Sequence, residues 1–222
     1  LITIDIRKAP HILIAGTTGS GKSILSHSII KSLINRSTPE QLKLVLVDPK
    51  RVEFNRYKED PHLYCPIVKD PCDIEKVLDD LAKEVETRFE KFMEVNARDI
   101  DEYNASASEK LPYIILLVDE FADVQEIVKT SSERFVRIAQ RSRAAGVHLI
   151  LATQRSTPKV LSGALKANFP TKIALCLTSP VDSMTIIGTG KATKLYGRGD
   201  MLIQCPAVDQ VSEVRAQGFY DM

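Results

Sequence analysis

The sequence predicts a three-layer α/β fold with a mostly parallel central sheet. Short apolar runs alternate along the chain with longer segments whose apolar residues repeat at helical spacing, which is typical of a parallel sheet covered by helices on both faces. A glycine-rich stretch follows the first apolar run, and an acidic pair follows a later one. Such residues belong at the carboxyl ends of parallel strands, where α/β proteins place their chemistry.

Hydrophobic periodicity predicts the individual elements. Strands are expected at His11–Ala15, Leu42–Val47, Tyr113–Val118, Val147–Thr153, Lys172–Leu177, Asp200–Gln204 and Val211–Gln217. Helices are expected at 24–34, Asp73–Met93, Ser132–Ala144 and Asp182–Ile187. The polar segment 96–110 is predicted to be a surface loop or a short helix.

Length, charge and cysteine usage narrow the class of protein. The 222 residues are 44% hydrophobic and 27% charged, enough for one large core and too few for two, so we expect a single domain over 1–222. The formal net charge is only +1, so any nucleic-acid site must be a local patch. The four cysteines lie far apart without a C-x-x-C pair, which indicates thiols of a cytosolic domain rather than zinc ligands or disulfides. No run approaches the ~18 apolar residues of a membrane span, so any membrane anchor is expected outside these residues.

The stretch Gly16–Ser23 matches the phosphate-binding pattern G-x-x-x-x-G-K-[ST]. Small residues let the backbone N–H groups surround a phosphate, while Lys22 would contact the β/γ-phosphates and Ser23 would offer its hydroxyl to Mg²⁺. The residues expected to bind nucleotide are Thr18, Gly19, Ser20, Gly21, Lys22, Ser23 and Ile24. A chance glycine-rich turn is the alternative, and the complete match between a strand and a helix disfavours it.

An acidic pair follows the strand predicted at Tyr113–Val118. Asp119 is expected to hold Mg²⁺ together with Ser23, and Glu120 to polarise the attacking water. Gln154 ends another predicted strand and could sense the γ-phosphate by hydrogen bonding. Taken alone, the pair reads as solvated acids at a strand end; the upstream glycine loop favours a nucleotide site.

Several P-loop enzyme classes share these motifs. The chain lacks the Asn-Lys-x-Asp run of a GTPase, and no arginine-rich kinase lid can be placed. The adjacent acids, Gln154 and an arginine-bearing helix fit RecA-like ATPases that act as rings.

Longer runs narrow the class further. They are 10–23 (PHILIAGTTGSGKS), 47–50 (VDPK), 111–123 (LPYIILLVDEFAD), 143–155 (RAAGVHLILATQR), 166–170 (KANFP) and 197–202 (GRGDML). In order and spacing they resemble the motor domain of the FtsK/SpoIIIE DNA translocases over nearly the whole chain. The resemblance implies a RecA-like, Mg²⁺-dependent ATPase that forms a homo-hexameric ring, hydrolyses ATP at subunit interfaces and moves double-stranded DNA, as in bacterial chromosome partition.

The resemblance also assigns residues. Arg143 matches the arginine finger that completes a neighbouring subunit's site, with Arg141 as the second choice. Without the resemblance, a helix C-terminal cation favoured by the helix dipole would be the preferred interpretation of Arg143. The first channel loop supplies Arg155, Lys159 and Lys166 as DNA phosphate contacts.

The second channel loop departs from the family pattern. Relatives usually read Ser-Lys-Ile-Asp-Ser-Arg, whereas 179–184 is SPVDSM, so two expected cations are missing; Lys191, Lys194 and Arg198 are candidates to compensate. A ring ATPase that energises protein secretion or conjugative transfer is therefore kept as the alternative function. A nucleotide-binding scaffold without turnover is disfavoured by the intact Lys22, Asp119 and Glu120. The family's membrane part and winged-helix DNA reader are expected outside this chain.

Overall fold

Seven strands form one sheet in the computed structural model, which describes residues 2–207 and 213–219. They are β1 (His11–Ala15), β2 (Leu42–Val47), β3 (Tyr113–Val118), β4 (Val147–Thr153), β5 (Thr171–Leu175), β6 (Asp200–Gln204) and β7 (Val214–Gln217). Their order across the sheet is β2-β3-β4-β1-β5-β6-β7. The first five strands pair in parallel, whereas β6 and β7 are antiparallel to their neighbours. The prediction of a mostly parallel sheet is confirmed.

Helices cover both faces of this sheet, which makes three layers. They are α1 (Lys22–Ile34), α2 (Pro71–Glu94), α3 (Ile100–Ser106), α4 (Phe121–Ile127), α5 (Ser131–Ser142), α6 (Gly163–Asn168) and α7 (Pro180–Ile187). Every residue of β1 is buried, and its side chains alternate between two cores: Leu13 packs on the face of α2 and α5, and Ile14 packs on the face of α1. Burial on both faces explains why the parallel strands are continuous apolar runs.

Most predicted elements are close to those observed. Five strands have the predicted bounds, and the predicted Lys172–Leu177 lies at Thr171–Leu175. The last predicted strand, Val211–Gln217, is observed at Val214–Gln217, and 211–212 lie outside the described residues. The polar segment 96–110 contains α3, whose first turn is capped by Asp99 accepting the Glu102 N–H at 2.9 Å. The short helices α4 and α6 were not predicted.

Arg88 connects α2 to the turn between α5 and β4. Its side chain is only 1% exposed, and its guanidinium donates to Glu84 Oε1 and to the Ala145 carbonyl oxygen, both at 2.8 Å. A buried cation of this kind is held by the partners that satisfy it. Arg88 therefore fixes the turn that carries Arg143.

Within residues 2–207 and 213–219, none of the helices has both the length and the apolar character needed to cross a bilayer.

Candidate nucleotide-binding site

The glycine-rich loop joins β1 to α1 at the carboxyl ends of the parallel strands. The Gly16 N–H donates to the Thr153 carbonyl oxygen at 3.2 Å, and the Thr17 N–H donates to the Cys176 carbonyl oxygen at 3.1 Å. These bonds tie the loop to the ends of β4 and β5. Gly21 has a φ of 103°, a left-handed conformation that favours glycine.

A second turn, Gly197–Gly199, packs against the glycine-rich loop. The Gly199 N–H donates to the Ser20 carbonyl oxygen at 2.7 Å. A Cβ atom on Gly21 would lie 2.5 Å from the Gly199 nitrogen, so this contact also requires glycine. Arg198, predicted as a candidate channel cation, thus lies beside the nucleotide loop, and its own N–H approaches the Gly19 carbonyl oxygen at 3.4 Å.

Lys22 and Asp119 form a buried pair at the centre of the site. Lys22 Nζ donates to the Asp119 carbonyl oxygen at 2.6 Å and to Asp119 Oδ1 at 3.1 Å. Burial raises the pKa of Asp119 above its ordinary value, and the Lys22 ammonium opposes that rise. The two residues that sequence assigned to phosphate and metal therefore lie within contact distance.

Glu120, Gln154 and Thr18 form a second group beside this pair. Thr153 Oγ1 donates to Glu120 Oε1 at 2.6 Å, and the Gln154 N–H donates to Glu120 Oε2 at 2.9 Å. Thr18 Oγ1 in turn donates to Gln154 Oε1 at 3.1 Å. Because β3 and β4 are neighbours in the sheet, their ends bring the acidic pair and the glutamine to the same loop.

Two acidic residues that the sequence analysis did not assign belong to this part of the site: Glu53 contacts Ser23, and Asp48 contacts the backbone of Glu53. Ser23 Oγ donates to Glu53 Oε1 at 2.9 Å. Asp48 Oδ2 accepts the backbone N–H groups of Glu53 at 2.9 Å and of Phe54 at 3.1 Å. Asp48 follows a predicted strand, which was the available signal, whereas nothing in the local pattern marks Glu53.

The oxygen atoms around Ser23 and Asp119 suit a magnesium ion. Mg²⁺ prefers oxygen ligands and is usually held by one or two carboxylates together with substrate phosphates. Among the described residues, no group of three or more His, Cys, Asp or Glu side chains could hold a metal by itself. The Asp48 side chain is fully buried, and its Oδ1 has no hydrogen-bond partner within the described part of the chain.

Ile24 occupies the first turn of α1, and its side chain is 39% exposed. The first N–H groups of a helix have no intrahelical partner and can face an anion. The contribution predicted for Ile24 would therefore come from its backbone.

Arg143 lies at the opposite end of the parallel strands from the glycine-rich loop. It follows α5 and precedes β4, so it is near the amino ends of the parallel strands, whereas the glycine-rich loop is at their carboxyl ends. Arg143 lines a surface cleft of about 490 Å³ together with Arg7, Arg98 and His148. The fold thus separates Arg143 from Lys22 of the same chain.

Arg141 makes contacts within its own chain. It pairs with Glu86, and its guanidinium lies 5.6 Å from the centre of the Phe89 ring. Both partners belong to α2, so Arg141 helps to pack α5 against α2.

The predicted DNA-contacting cations follow β4. Arg155 pairs with Asp123 at 2.9 Å and with Glu126 at 2.6 Å, and its side chain remains 47% exposed. Lys159 is exposed, whereas Lys166 Nζ donates to the Thr185 carbonyl oxygen at 3.1 Å. The three cations lie on one connected segment, which includes α6.

The segment predicted to be the second channel loop leads into α7 and carries Pro180 and Met184 at the two positions where cations were expected. Val181 is 62% exposed and Met184 is 55% exposed. Lys191, one of the candidates to compensate, pairs with Glu213. Among the described residues of α7, Pro180 and the exposed Met184 therefore replace the expected positive charges.

Comparison with known proteins identifies the family of this chain. The model of the FtsK/SpoIIIE family matches residues 1–158. The chain belongs to the FtsK/SpoIIIE family. It is 41% identical to DNA translocase FtsK of Streptococcus pneumoniae over 97% of this chain and 29% of that protein, and 43% identical to the FtsK of Oceanobacillus iheyensis over the same shares. The chain thus spans under a third of the length of these relatives. The resemblance to the FtsK/SpoIIIE family that the sequence motifs predicted is confirmed.

Solved structures agree on the fold of this FtsK/SpoIIIE family chain. The pCW3 conjugation coupling protein TcpA, determined with ATPγS, is 28% identical and superposes with a TM-score of 0.87 over 99% of this chain and 62% of that chain. The type VII secretion ATPase EccC of Thermomonospora curvata is 27% identical, with a TM-score of 0.83 over 95% of this chain and 25% of its own. The predicted α/β P-loop fold is confirmed.

Proposed function

We propose that residues 1–222 form the motor domain of an ATP-driven DNA translocase. The domain acts in a homo-hexameric ring, hydrolyses Mg²⁺-bound ATP at subunit interfaces and moves double-stranded DNA through the central channel. The observation that carries the proposal is the grouping of Lys22, Asp119, Glu120 and Gln154 around one glycine-rich loop. Such a site positions a triphosphate and neutralises its developing charge.

The position of each side chain in this site suits it to one role in ATP hydrolysis. Bound Mg²⁺ would neutralise phosphate charge, with Ser23 and Asp119 as its protein ligands. Lys22 leaves Asp119 for the β/γ-phosphates, to which it brings a positive charge. Glu120, oriented by the Thr153 hydroxyl and the Gln154 N–H, accepts the proton of the attacking water.

The position of Arg143 supports hydrolysis between subunits. Arg143 lies at the opposite end of the parallel strands from the glycine-rich loop of its own chain. A role in phosphate chemistry therefore requires that Arg143 reach the nucleotide site of another subunit. In a head-to-tail ring, the surface of one subunit that carries Arg143 would face the glycine-rich loop of the next subunit. An arginine arriving there neutralises transition-state charge and couples hydrolysis to ring assembly.

A mixing experiment tests this arrangement. Arg143→Ala should lose ATP turnover by about 10³-fold, the effect of an arginine finger, and Lys22→Ala by at least about 100-fold. In an equimolar random mixture, about a quarter of the interfaces of a head-to-tail ring would contain both intact residues. ATP hydrolysis, measured by phosphate release, should therefore partly return on mixing.

Arg137→Ala is the matched control, because Arg137 is an exposed arginine of α5, the helix that directly precedes Arg143. It should keep wild-type turnover. If mixed rings are demonstrated by differently tagged subunits and turnover does not return, Arg143 acts within its own subunit and the in-trans role is wrong.

Phosphate contacts that ignore base sequence would explain how this chain holds DNA. The net charge of +1 rules out general basicity, so the contact must come from a local group such as Arg155, Lys159 and Lys166. Lysine and arginine side chains facing phosphates position a protein on DNA without reading bases.

A ring ATPase for protein secretion or conjugative transfer is the second candidate function. The exposed Met184 on α7 favours it, because an apolar side chain in place of an expected cation suits a polypeptide better than a phosphate backbone. Neighbours named for conjugation coupling and type VII secretion share the fold. Stimulation of ATP hydrolysis by duplex DNA or by unfolded polypeptide separates the two functions.

We also propose where the domain resides. The motor is a cytoplasmic domain, and contact with a membrane comes only through regions outside these residues. The winged-helix reader of DNA sequence, where present, is likewise a separate part of the protein.

A further inference from the structure

We propose that Glu53 is a positioning residue for the magnesium site and orients the Ser23 hydroxyl toward the metal. The inference rests on the proposed ATPase function and assigns Glu53 a place in it. Glu53 acts through Ser23, whose Oγ would be the metal ligand.

The direction of one hydrogen bond carries the argument. A serine hydroxyl has one proton to donate and two lone pairs to offer. Ser23 gives its proton to Glu53 Oε1 at 2.9 Å, which turns its lone pairs away from Glu53. A hydroxyl that donates to a carboxylate is also a better electron donor through oxygen, as for metal ligands held by an outer carboxylate. Glu53 thus selects the rotamer and raises the ligand strength of Ser23.

Glu53 is itself held in place from two sides. Its backbone N–H donates to the buried Asp48 at 2.9 Å. Its Oε2 lies 3.4 Å from His27 Nε2, and His27 Nδ1 is 3.0 Å from the Tyr57 hydroxyl. An outer residue tunes a metal ligand only when it is fixed, and these contacts fix it.

Charge at this edge of the sheet is consistent with a nearby divalent cation. The Glu53 and Asp48 carboxylates both lie close enough to Asp119 to interact with it electrostatically. Asp48 and Asp119 extend neighbouring parallel strands, since Val47 pairs with Val118. The Asp48 side chain is fully buried, and its Oδ1, which has no hydrogen-bond partner among residues 2–207 and 213–219, adds another acceptor to the same strand ends. Negative charge therefore collects where Mg²⁺ would be bound.

The test measures how nucleotide affinity depends on Mg²⁺, using a fluorescent N-methylanthraniloyl ATP. For the wild-type chain, Mg²⁺ should tighten binding relative to EDTA. In Glu53→Ala, the Mg²⁺ concentration for half-maximal tightening should rise about 10-fold or more, as expected when an outer partner of a metal ligand is lost. Affinity in EDTA should not change, because the loop contacts to phosphate remain.

Three further variants separate positioning from a general structural effect. Ser23→Ala should raise the Mg²⁺ requirement similarly, and the Ser23→Ala/Glu53→Ala double variant should lose little more, because the two residues act as one unit. Glu53→Gln should lose less than Glu53→Ala, since its amide oxygen can still accept the Ser23 proton. Glu59→Ala, at an 86% exposed side chain of the same segment, should match the wild type.

Two results would overturn the inference. One is a wild-type Mg²⁺ requirement in Glu53→Ala; the other is an equal loss of affinity with Mg²⁺ and in EDTA, which would indicate a structural role. A wild-type chain that binds no nucleotide would instead contradict the proposed function itself.

Discussion

Replacing Lys22 by alanine should reduce ATP turnover by at least about 100-fold, the loss typical when one preorganised charge at a reaction centre is removed. Nucleotide binding should fall as well. A ligand at 100 times its Kd stabilises a folded protein by about 2.7 kcal/mol, so the rise in Tm that ATP and Mg²⁺ give the wild type should disappear in the variant. Phosphate release and thermal unfolding with and without nucleotide measure the two effects.

A loss of folding must be separated from a loss of phosphate binding, because Lys22 is buried against Asp119. Lys22→Met keeps the length of the side chain and should lose turnover equally. Lys58→Ala removes a lysine whose side chain is 64% exposed and should behave as the wild type. Retained turnover in a folded Lys22→Met protein would remove the glycine-rich loop from the mechanism.

Replacing Glu120 by glutamine should leave ATP binding intact and slow hydrolysis by about 10²- to 10⁴-fold, the usual contribution of a general base. Glu120 Oε1 accepts both the Thr153 hydroxyl at 2.6 Å and the Gln154 N–H at 3.1 Å, so a single glutamine oxygen at this position can keep both bonds. The fold and the nucleotide loop are therefore preserved while the proton acceptor is lost. Single-turnover hydrolysis and equilibrium binding of fluorescent ATP measure the two steps separately.

Glu133→Gln provides the control, since Glu133 is an exposed acid in the first turn of α5 and should not affect hydrolysis. Undiminished single-turnover hydrolysis in Glu120→Gln would show that another group takes the proton from water. Loss of ATP binding in the same variant would indicate that Glu120 organises the loop instead of activating water.

Sequence periodicity predicted the sheet well because burial dominates these strands. The run Val147–Thr153 is buried at every residue, and a continuous apolar run of that length is recognisable without tertiary information. Short helices were harder: α4 begins directly after Glu120 and has only seven residues, too few for a helical repeat to stand out. Tertiary packing, not local propensity, stabilises such helices.

The site was predictable where chemistry follows a strand end or a motif. Lys22, Asp119 and Gln154 were each marked locally, and the parallel register brings them together. Glu53 and the Gly197–Gly199 turn were not predicted as part of the site, because their contacts with Ser23 and Ser20 join distant parts of the chain. Arg143 was assigned by resemblance, and only the fold shows that it lies away from its own loop.

The central claim is that this chain converts ATP hydrolysis into movement along duplex DNA. It is tested most directly by the ATP hydrolysis rate of the purified chain with no polymer, with long duplex DNA, with single-stranded DNA and with an unfolded protein. Stimulation by duplex DNA alone is expected, with an apparent affinity for DNA that falls by about 10³-fold or more between about 50 and 200 mM salt if some six or more phosphates are contacted. No response to duplex DNA, together with stimulation by the unfolded protein, would contradict the claim and favour a secretion motor.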